Sequence, residues 1–247
     1  MNIKQYLDST YLKTAEQAAV SVDENQMIVR TFVQEAIDER FKLVMIRPDM
    51  VAMARKMIND AQSKVDLGTV IDFPDGSSNV DKKLEEAAAA IADGADDLDF
   101  VCNYKAFKSG QIDLVKNEII QCTKLGLEHR KIVKWIIEVA ALNEQQIVQL
   151  SALIKNVVIS NFKEEQYAMV FVKSSTGFYK TQNNLPNGAT RNSIIMMLEN
   201  SYPLSVKAAG GVRTYAEAVE MIRLGVKRIG TSAAKAIAHG HSSHVEY

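Results

Sequence analysis

Two lysines end two apolar, strand-like runs, and their type and position point to amine chemistry. Lys173 follows the run at residues 169–172, Lys207 follows the run at residues 204–206, and both are followed by small residues. Burial disfavours the charged ammonium, so a lysine on a buried strand tends toward the neutral, nucleophilic amine. A single lysine of this kind is better explained by a side chain that extends to solvent from a strand end. The pair predicts a Schiff-base enzyme.

The two lysines are expected to influence one another if their strands are neighbours in one sheet. Neighbouring strands lie about 4.8 Å apart, which would place two inward-pointing ammonium groups about 6 Å from each other. At an effective dielectric constant of about 20, they would repel by roughly 3 kcal/mol, or about two pKa units. Such repulsion would bring one lysine toward neutrality near pH 7, as addition to a carbonyl requires.

Asp99 is the carboxylate most in need of a partner, because it lies inside the apolar stretch at residues 98–101. It could transfer protons to a carbinolamine or a developing hydroxyl, directly or through water. The structural alternative is an ion pair with a nearby lysine, and the lysine pair favours the catalytic interpretation. Asp96 and Asp97 are interpreted as turn residues on a solvated face. Further polar residues at or near strand ends are Asp8, Thr10, Asp72, Lys134 and Glu138.

Two glycine-containing loops predict a phosphorylated substrate. Gly210 and Gly211 follow the Lys207 run, and Gly230-Thr231-Ser232 closes the last strand-like run. Glycine lets backbone N–H groups approach an anion, and the N-terminus of the following helix favours negative charge. Any turn can use glycine, so one loop alone would be weak support. Both loops fall where (β/α)8 barrels commonly hold phosphate.

The elements that must position these residues alternate between short apolar runs and longer helical patterns. This alternation is typical of βαβ units and a parallel sheet. We predict eight strands, at residues 6–10, 43–46, 67–72, 98–102, 133–139, 169–174, 205–209 and 228–232. Eight such units without an internal linker predict an α/β fold, a single (β/α)8 TIM barrel over residues 1–247 with a mobile tail from about residue 239. A doubly wound open sheet is the structural alternative.

Composition excludes several classes of function. With 29 basic and 30 acidic residues, the 247-residue chain has no basic field for nucleic acid. It shows no signal peptide and no apolar run long enough for a membrane helix, so we expect a cytoplasmic protein. The two cysteines, Cys102 and Cys122, suit a reducing compartment. Three of the four histidines lie in the last nine residues, which argues against a histidine triad or zinc site.

Five segments together carry a resemblance to a known family. They are KSSTGF at 173–178, KAAGGVR at 207–213, DLDFV at 97–101, DSTYLK at 8–13 and GAT at 188–190. In this order, over nearly the whole chain, they resemble deoxyribose-phosphate aldolases. The two lysine segments are the most specific of the five. The chain departs from the family in its longer segments before and after Lys173 and in Ala233, where a second serine is frequent.

The resemblance implies a metal-free class I aldolase without a cofactor, acting on a small phosphorylated sugar. Lys173 would form the Schiff base, Lys207 would perturb it electrostatically, and Asp99 would transfer protons through water. The family cleaves 2-deoxyribose 5-phosphate reversibly to glyceraldehyde 3-phosphate and acetaldehyde, and a homodimer is a compatible assembly. A terminal tyrosine can assist proton transfer, which in this chain would be Tyr247. The implied substrate and phosphate contacts are Asp8, Thr10, Thr176, Gly177, Gly210, Gly211, Gly230 and Ser232.

Two alternatives remain open from the sequence. A related Schiff-base lyase or thiolase on another phosphorylated carbonyl compound would keep Lys173 and a phosphate loop. A barrel that only binds sugar phosphates would lose Lys173, Lys207 or Asp99, and all three are present. Release of acetaldehyde from deoxyribose 5-phosphate distinguishes these readings from an aldolase of the family.

Overall fold

The computed structural model describes residues 2–182 and 185–240, and its eight parallel strands close into one barrel in sequence order. Each strand pairs with the next, and β1 pairs with β8. The strands are β1 (Leu7–Thr10), β2 (Leu43–Ile46), β3 (Asp66–Ile71), β4 (Asp97–Val101), β5 (Ile132–Ile136), β6 (Val170–Lys173), β7 (Ser205–Ala209) and β8 (Arg228–Thr231). The predicted TIM barrel is confirmed, and the open sheet is excluded.

Helices cover the outside of the barrel. They are α1 (Ala15–Ala18), α2 (Val22–Glu39), α3 (Val51–Asp60), α4 (Val80–Ala92), α5 (Tyr104–Lys108), α6 (Ile112–Glu128), α7 (Glu144–Asn161), α8 (Arg191–Ser201), α9 (Tyr215–Leu224) and α10 (Ala234–Ala238). Four short 3₁₀ helices are also described, at Ile3–Tyr6, Pro48–Met50, Val139–Ala141 and Glu164–Met169. None of the helices in the described ranges is long and apolar enough to cross a membrane.

Local sequence explains where the helices that follow the strands begin. Thr190 and Thr214 accept hydrogen bonds from the third residue of α8 and of α9, which satisfies a backbone N–H that the helix itself cannot. Asn143 caps α7 in the same way. These caps fix the points at which the loops on the site face of the barrel end.

The barrel interior is divided into a charged part and an apolar part. Ionic side chains of β1 and β4–β8 meet one another at its centre. On the side of β2 and β3, an apolar cluster of Leu12, Leu43, Met45 and Val70 is buried, with Phe73 and Phe178 packed against it. Six of the eight strands therefore supply the central ion pairs, and β2 and β3 contribute apolar side chains to the interior.

Strand five is shorter than the sequence predicts. We expected residues 133–139, but β5 ends at Ile136, and Glu138 takes a left-handed conformation with φ 55°. The apolar residues Ile137 and Val139 continue the strand-like pattern, which is why the sequence suggests a longer strand. The left-handed residue turns the chain out of the sheet and begins the loop beside Lys173.

Candidate active site

Four cations and three carboxylates form one buried network at the centre of the barrel. Asp99 lies at its middle, with one oxygen 2.9 Å from both Lys173 Nζ and Lys207 Nζ and the other 2.8 Å from Lys134 Nζ. Lys207 also lies 2.6 Å from Asp8. Arg228 closes the ring, 2.6 Å from Asp8 and 3.1 Å from Asp97. The network carries one positive charge in excess when Lys173 is protonated, and it is balanced when Lys173 is neutral.

Lys173 is the lysine whose pKa the site lowers. Its pKa is lowered to about 8, mainly by burial; the charges of Lys207 and Lys134 act in the same direction, and Asp99 opposes the shift. Lys173 and Lys207 are paired in register on β6 and β7, as their spacing predicts. Both expected causes act on Lys173, and the loss of hydration is larger than the repulsion from Lys207. A lysine with this pKa supplies far more neutral amine at pH 7 than an ordinary lysine.

The three aspartates respond differently to the same burial. Burial alone would raise the pKa of Asp99, but Lys134, Lys173 and Lys207 hold it well below its usual range. Arg228 and Lys207 likewise lower the pKa of Asp8 against the effect of burial. For Asp97, burial prevails and raises the pKa despite its cationic neighbours. Asp99 is therefore held as an anion that three ammonium groups share.

Part of this network was missed by the sequence interpretation. Asp97 is 1% exposed and bonded to Lys134 at 2.6 Å, so the prediction of a solvated turn residue is wrong. The available signal was strand alternation, because Asp97 and Asp99 share one face of β4. Lys134 was noted as a strand residue without a partner, and Arg228 was not singled out. Both the catalytic and the structural interpretation of Asp99 foresee a lysine contact.

The loop after Lys173 is held by the carboxyl group of Glu138. Ser175 Oγ lies 2.8 Å from Glu138 Oε1, and the Thr176 backbone N–H donates to Glu138 Oε2 at 3.1 Å. The Thr176 hydroxyl makes a short contact with the same oxygen. The Gly177 N–H donates to Ser175 Oγ at 2.9 Å. Thr176 and Gly177, both predicted as phosphate contacts, thus already use these groups within the protein.

The two predicted glycine loops lie at the same end of the barrel as the lysines. Gly210 and Gly211 have φ values of 78° and 89°, which L side chains rarely adopt. A Cβ on Gly230 would lie 3.1 Å from Lys207 Cε, so glycine there leaves room for the lysine. Ser232, which follows Thr231, is partly exposed. The loops after β7 and β8 are therefore adjacent to the lysine pair.

The remaining predicted residues divide into two groups. Asp8 and Thr10 are buried on β1, where Thr10 Oγ1 donates to the Asp8 carbonyl at 2.8 Å. Both carboxylate oxygens of Asp8 are taken by Lys207 and Arg228. Tyr247 lies outside the described residues. Of the predicted site residues, those within the described ranges come together at one end of the barrel or at its centre.

The closed barrel and the buried lysines at its centre define the class of protein, a (β/α)8 barrel with side chains capable of lysine-based carbonyl chemistry. Residues 5–242 match the family described as DeoC/LacD family aldolase. The match covers most of the chain, and the chain belongs to this family.

Individual relatives agree with the family match over nearly full length. The chain is 35% identical to the deoxyribose-phosphate aldolase of Thermococcus gammatolerans, over 97% of this chain and 96% of the relative. It is 34% identical to the deoxyribose-phosphate aldolase of Streptococcus pneumoniae, over 100% of both. Among solved structures, it resembles an aldolase named QR15 with a TM-score of 0.80 and 28% identity, over 97% and 95% of the two chains. It also resembles the tetrameric deoxyribose phosphate aldolase of Aeropyrum pernix, with a TM-score of 0.77 and 26% identity, over 96% and 89% of the two chains.

Proposed function

We propose that this protein cleaves 2-deoxy-D-ribose 5-phosphate reversibly to D-glyceraldehyde 3-phosphate and acetaldehyde through a Schiff base on Lys173. The observation that carries the proposal is a buried lysine with a pKa of about 8, bonded at 2.9 Å to an aspartate that it shares with a second lysine. The curated relatives named above are deoxyribose-phosphate aldolases, which supports this substrate.

Lys173 acts first as a nucleophile. At pH 7, a pKa of about 8 leaves about one-tenth of the side chain neutral. An ordinary lysine would have roughly one part in 2,500 neutral, so the site gains a factor of about 200 in reactive amine. Addition to the C1 aldehyde gives a carbinolamine, and loss of water from it gives the iminium.

The iminium then serves as the electron sink for carbon–carbon cleavage. A base takes the proton of the C3 hydroxyl, the C2–C3 bond breaks, and its electron pair moves to form an enamine on Lys173. The C3 carbon leaves as the aldehyde of glyceraldehyde 3-phosphate. Protonation of the enamine carbon and hydrolysis of the resulting iminium release acetaldehyde and restore the amine. In the synthetic direction, each step runs in reverse.

Asp99 and Lys207 are proposed to move the protons, with water as the intermediary. An anion as stabilised as Asp99 is a weak base on its own. The ammonium group of Lys207, 2.9 Å away, can give up a proton when Asp99 takes one from the water. Lys207 also disfavours the charged form of Lys173. Tyr247 remains a candidate for protonating the enamine, and Asp8 and Thr10 remain candidates for the wall of the pocket.

The phosphate is proposed to bind at the glycine loops after β7 and β8, at Gly210, Gly211, Gly230 and Ser232. Thr176 and Gly177 would border the site from the β6 side, while their N–H groups stay bonded to Glu138 and Ser175. A related Schiff-base lyase on another phosphorylated carbonyl compound remains the second enzymatic candidate. A barrel that only binds sugar phosphates would have no need of a lysine with a lowered pKa.

The first test is trapping of the Schiff base with acetaldehyde and borohydride, followed by peptide mass spectrometry. We expect one reduced ethyl adduct, on the peptide that carries Lys173. Lys173→Ala should lose the adduct and the turnover of deoxyribose 5-phosphate while it stays folded, because a neutral side chain suits the site. Lys227→Ala, at an exposed lysine before β8, is the matched control and should keep both. Trapping on another residue, or an active Lys173→Ala, would remove Lys173 from the mechanism.

A further inference from the structure

Glu138 is a buried acidic residue to which the aldolase chemistry above assigns no role. It is 1% exposed and follows β5 in a left-handed backbone conformation, with φ 55° and ψ 68°. Such a conformation is uncommon for a residue other than glycine and costs energy that the surroundings must supply. It aims the carboxyl group at the loop after Lys173, where Ser175 and Thr176 meet it.

If Glu138 is ionised, there are too few hydrogens around Ser175 to give each neighbouring acceptor oxygen a hydrogen bond. Ser175 Oγ lies 2.8 Å from Glu138 Oε1 and 2.6 Å from the carbonyl oxygen of Asn187, and neither an ionised carboxylate nor a carbonyl has a hydrogen to give. The remaining contact of Ser175 Oγ is the Gly177 N–H, which donates to it. The single hydroxyl hydrogen of Ser175 can therefore fully satisfy only one of the two oxygens.

A proton on Glu138 Oε1 completes the set without any atom moving. Glu138 then donates to Ser175 Oγ, and Ser175 donates to the Asn187 carbonyl. The other carboxyl oxygen still accepts from the Thr176 backbone N–H and hydroxyl. In this set of hydrogen bonds, from Thr176 through Glu138 and Ser175 to the Asn187 carbonyl, every donor and acceptor has a partner only when the carboxyl group is neutral.

The surroundings of Glu138 agree with this count. Burial raises the pKa of Glu138 above its ordinary value, against the hydrogen bonds from Thr176 and Ser175 and the charge of Lys173. The titratable groups that face it are Lys173 on β6 and Tyr104 on α5. A neutral Glu138 adds no second anion near Lys173 besides Asp99, and so does not oppose the lowered pKa of that lysine.

The chain of hydrogen bonds reaches the glycine loop after β7. Asn187 precedes Gly188, and a Cβ on Gly188 would collide with the backbone of Gly210. The next residue, Ala189, donates its N–H to the carbonyls of Ala209 and Gly210. Glu138 is thus linked through Ser175 and Asn187 to the loop that packs on the proposed phosphate site.

We propose that Glu138 is a positioning residue that works as a neutral carboxylic acid. It holds the loops after β6 and β7 in the relative position that binds the phosphorylated substrate. The kinetic consequences rest on the proposed function. The protonation state does not, and it can be measured without any substrate.

The first experiment compares infrared spectra of the wild type and Glu138→Gln at pH 7, where an ordinary glutamate is ionised. We expect the difference spectrum to contain the C=O band of a protonated carboxylic acid. A difference spectrum that contains only carboxylate bands would overturn the proposal. An acid band in a protein that does not cleave deoxyribose 5-phosphate would overturn the proposed function and leave the state of Glu138 established.

The second experiment uses the shape of the glutamine side chain. Its amide nitrogen can donate to Ser175 Oγ, and its oxygen can accept from Thr176, as the neutral acid does. We expect Glu138→Gln to keep kcat and KM within about twofold of the wild type. Glu138→Leu should raise KM for deoxyribose 5-phosphate by about tenfold or more, with a smaller effect on unphosphorylated deoxyribose.

Ser175→Ala interrupts the same chain without changing the carboxyl group, and keeps the test decisive if the leucine variant does not fold. We expect it to raise KM in the same selective way. If Glu138→Gln were as impaired as Glu138→Leu, the carboxylate form would be the working one and the proposal would be wrong. Equal losses with phosphorylated and unphosphorylated sugar would also refute it, because a general structural defect does not discriminate between them.

Discussion

Replacement of Lys207 by leucine should raise the pKa of Lys173 and move the pH dependence of Schiff-base formation to higher pH. Both ammonium groups lie 2.9 Å from the same Asp99 oxygen, so they are separated by no more than twice that distance. At an effective dielectric constant of about 20, removal of one charge at this range changes the energy of the other by roughly 3 kcal/mol. We therefore expect the pKa of Lys173 to rise from about 8 by about two units.

The direction of the pH shift follows from the protonation form of Lys173 that reacts with the aldehyde. The neutral amine adds to the aldehyde, so the rate is lost as pH falls below the pKa of Lys173. Raising that pKa by about two units reduces the neutral fraction at pH 7 by about a hundredfold. Above the new pKa, Lys173 is neutral in both proteins, and their trapping rates should converge.

The assay is the initial rate of borohydride trapping with acetaldehyde, measured from about pH 6 to pH 10.5. Lys134→Leu is the matched control, because Lys134 is equally buried and bonded to the other oxygen of Asp99. Lys134 contributes less to the lowering of the pKa of Lys173, so its removal should shift the profile less. Circular dichroism at the assay temperature shows whether each variant is folded.

Two results would refute the electrostatic reasoning. One is an unchanged midpoint in folded Lys207→Leu, which would mean that burial alone sets the pKa of Lys173. The other is a trapping rate that stays low at every pH, which would mean that the loss of proton transfer by Lys207, and not the pKa of Lys173, limits the reaction. A larger shift in Lys134→Leu than in Lys207→Leu would contradict the assignment of Lys207 as the stronger of the two influences on Lys173.

Three further predictions concern packing around the site. Gly188→Ala should raise KM for phosphorylated substrate and affect unphosphorylated deoxyribose less, because the new methyl group collides with the backbone of Gly210 in the loop after β7. Steady-state kinetics with both sugars would measure this difference. Gly230→Ala should destabilise the fold by about 1–3 kcal/mol and reduce kcat, because its Cβ meets the Lys207 side chain; urea unfolding and turnover assays would detect it. Lys83→Met should lower the free energy of unfolding by about 3–5 kcal/mol, since it leaves Glu118 buried without its ion-pair partner. The folded fraction should keep its activity, and an unchanged Tm would contradict the prediction.

Most of the fold could be predicted because each strand is short, apolar and followed by a polar or small turn. The bounds of β2 and β7 match the prediction, and the other strands differ from it by one to three residues at an end. The largest error is at β5, where apolar residues continue beyond Ile136. Hydrophobic pattern alone does not show that Glu138 has a positive φ, because that conformation depends on the loop it contacts.

The site could be predicted less completely than the fold. The lysine pair was found because two similar segments follow strands that the barrel makes neighbours. Asp97 was misjudged, since its solvated neighbour Asp96 and the preceding turn suggested exposure, and its partner Lys134 is far away in sequence. Arg228 gave no local signal, because its role depends on the closure of β8 against β1. Contacts across the barrel depend on the register of the whole sheet.

The central charges have a consequence for how the chain gains activity during its synthesis. Asp8 lies on the first strand of the barrel, and the guanidinium that it binds, that of Arg228, lies on the eighth. Until the final strand leaves the ribosome, a carboxylate on the first strand lacks one of its two cations. A nascent barrel of seven strands would have to leave that group hydrated, which keeps its centre wet and the amine of Lys173 closer to an ordinary lysine. We therefore expect Lys173 to become reactive toward aldehydes only once the eighth strand has closed the barrel.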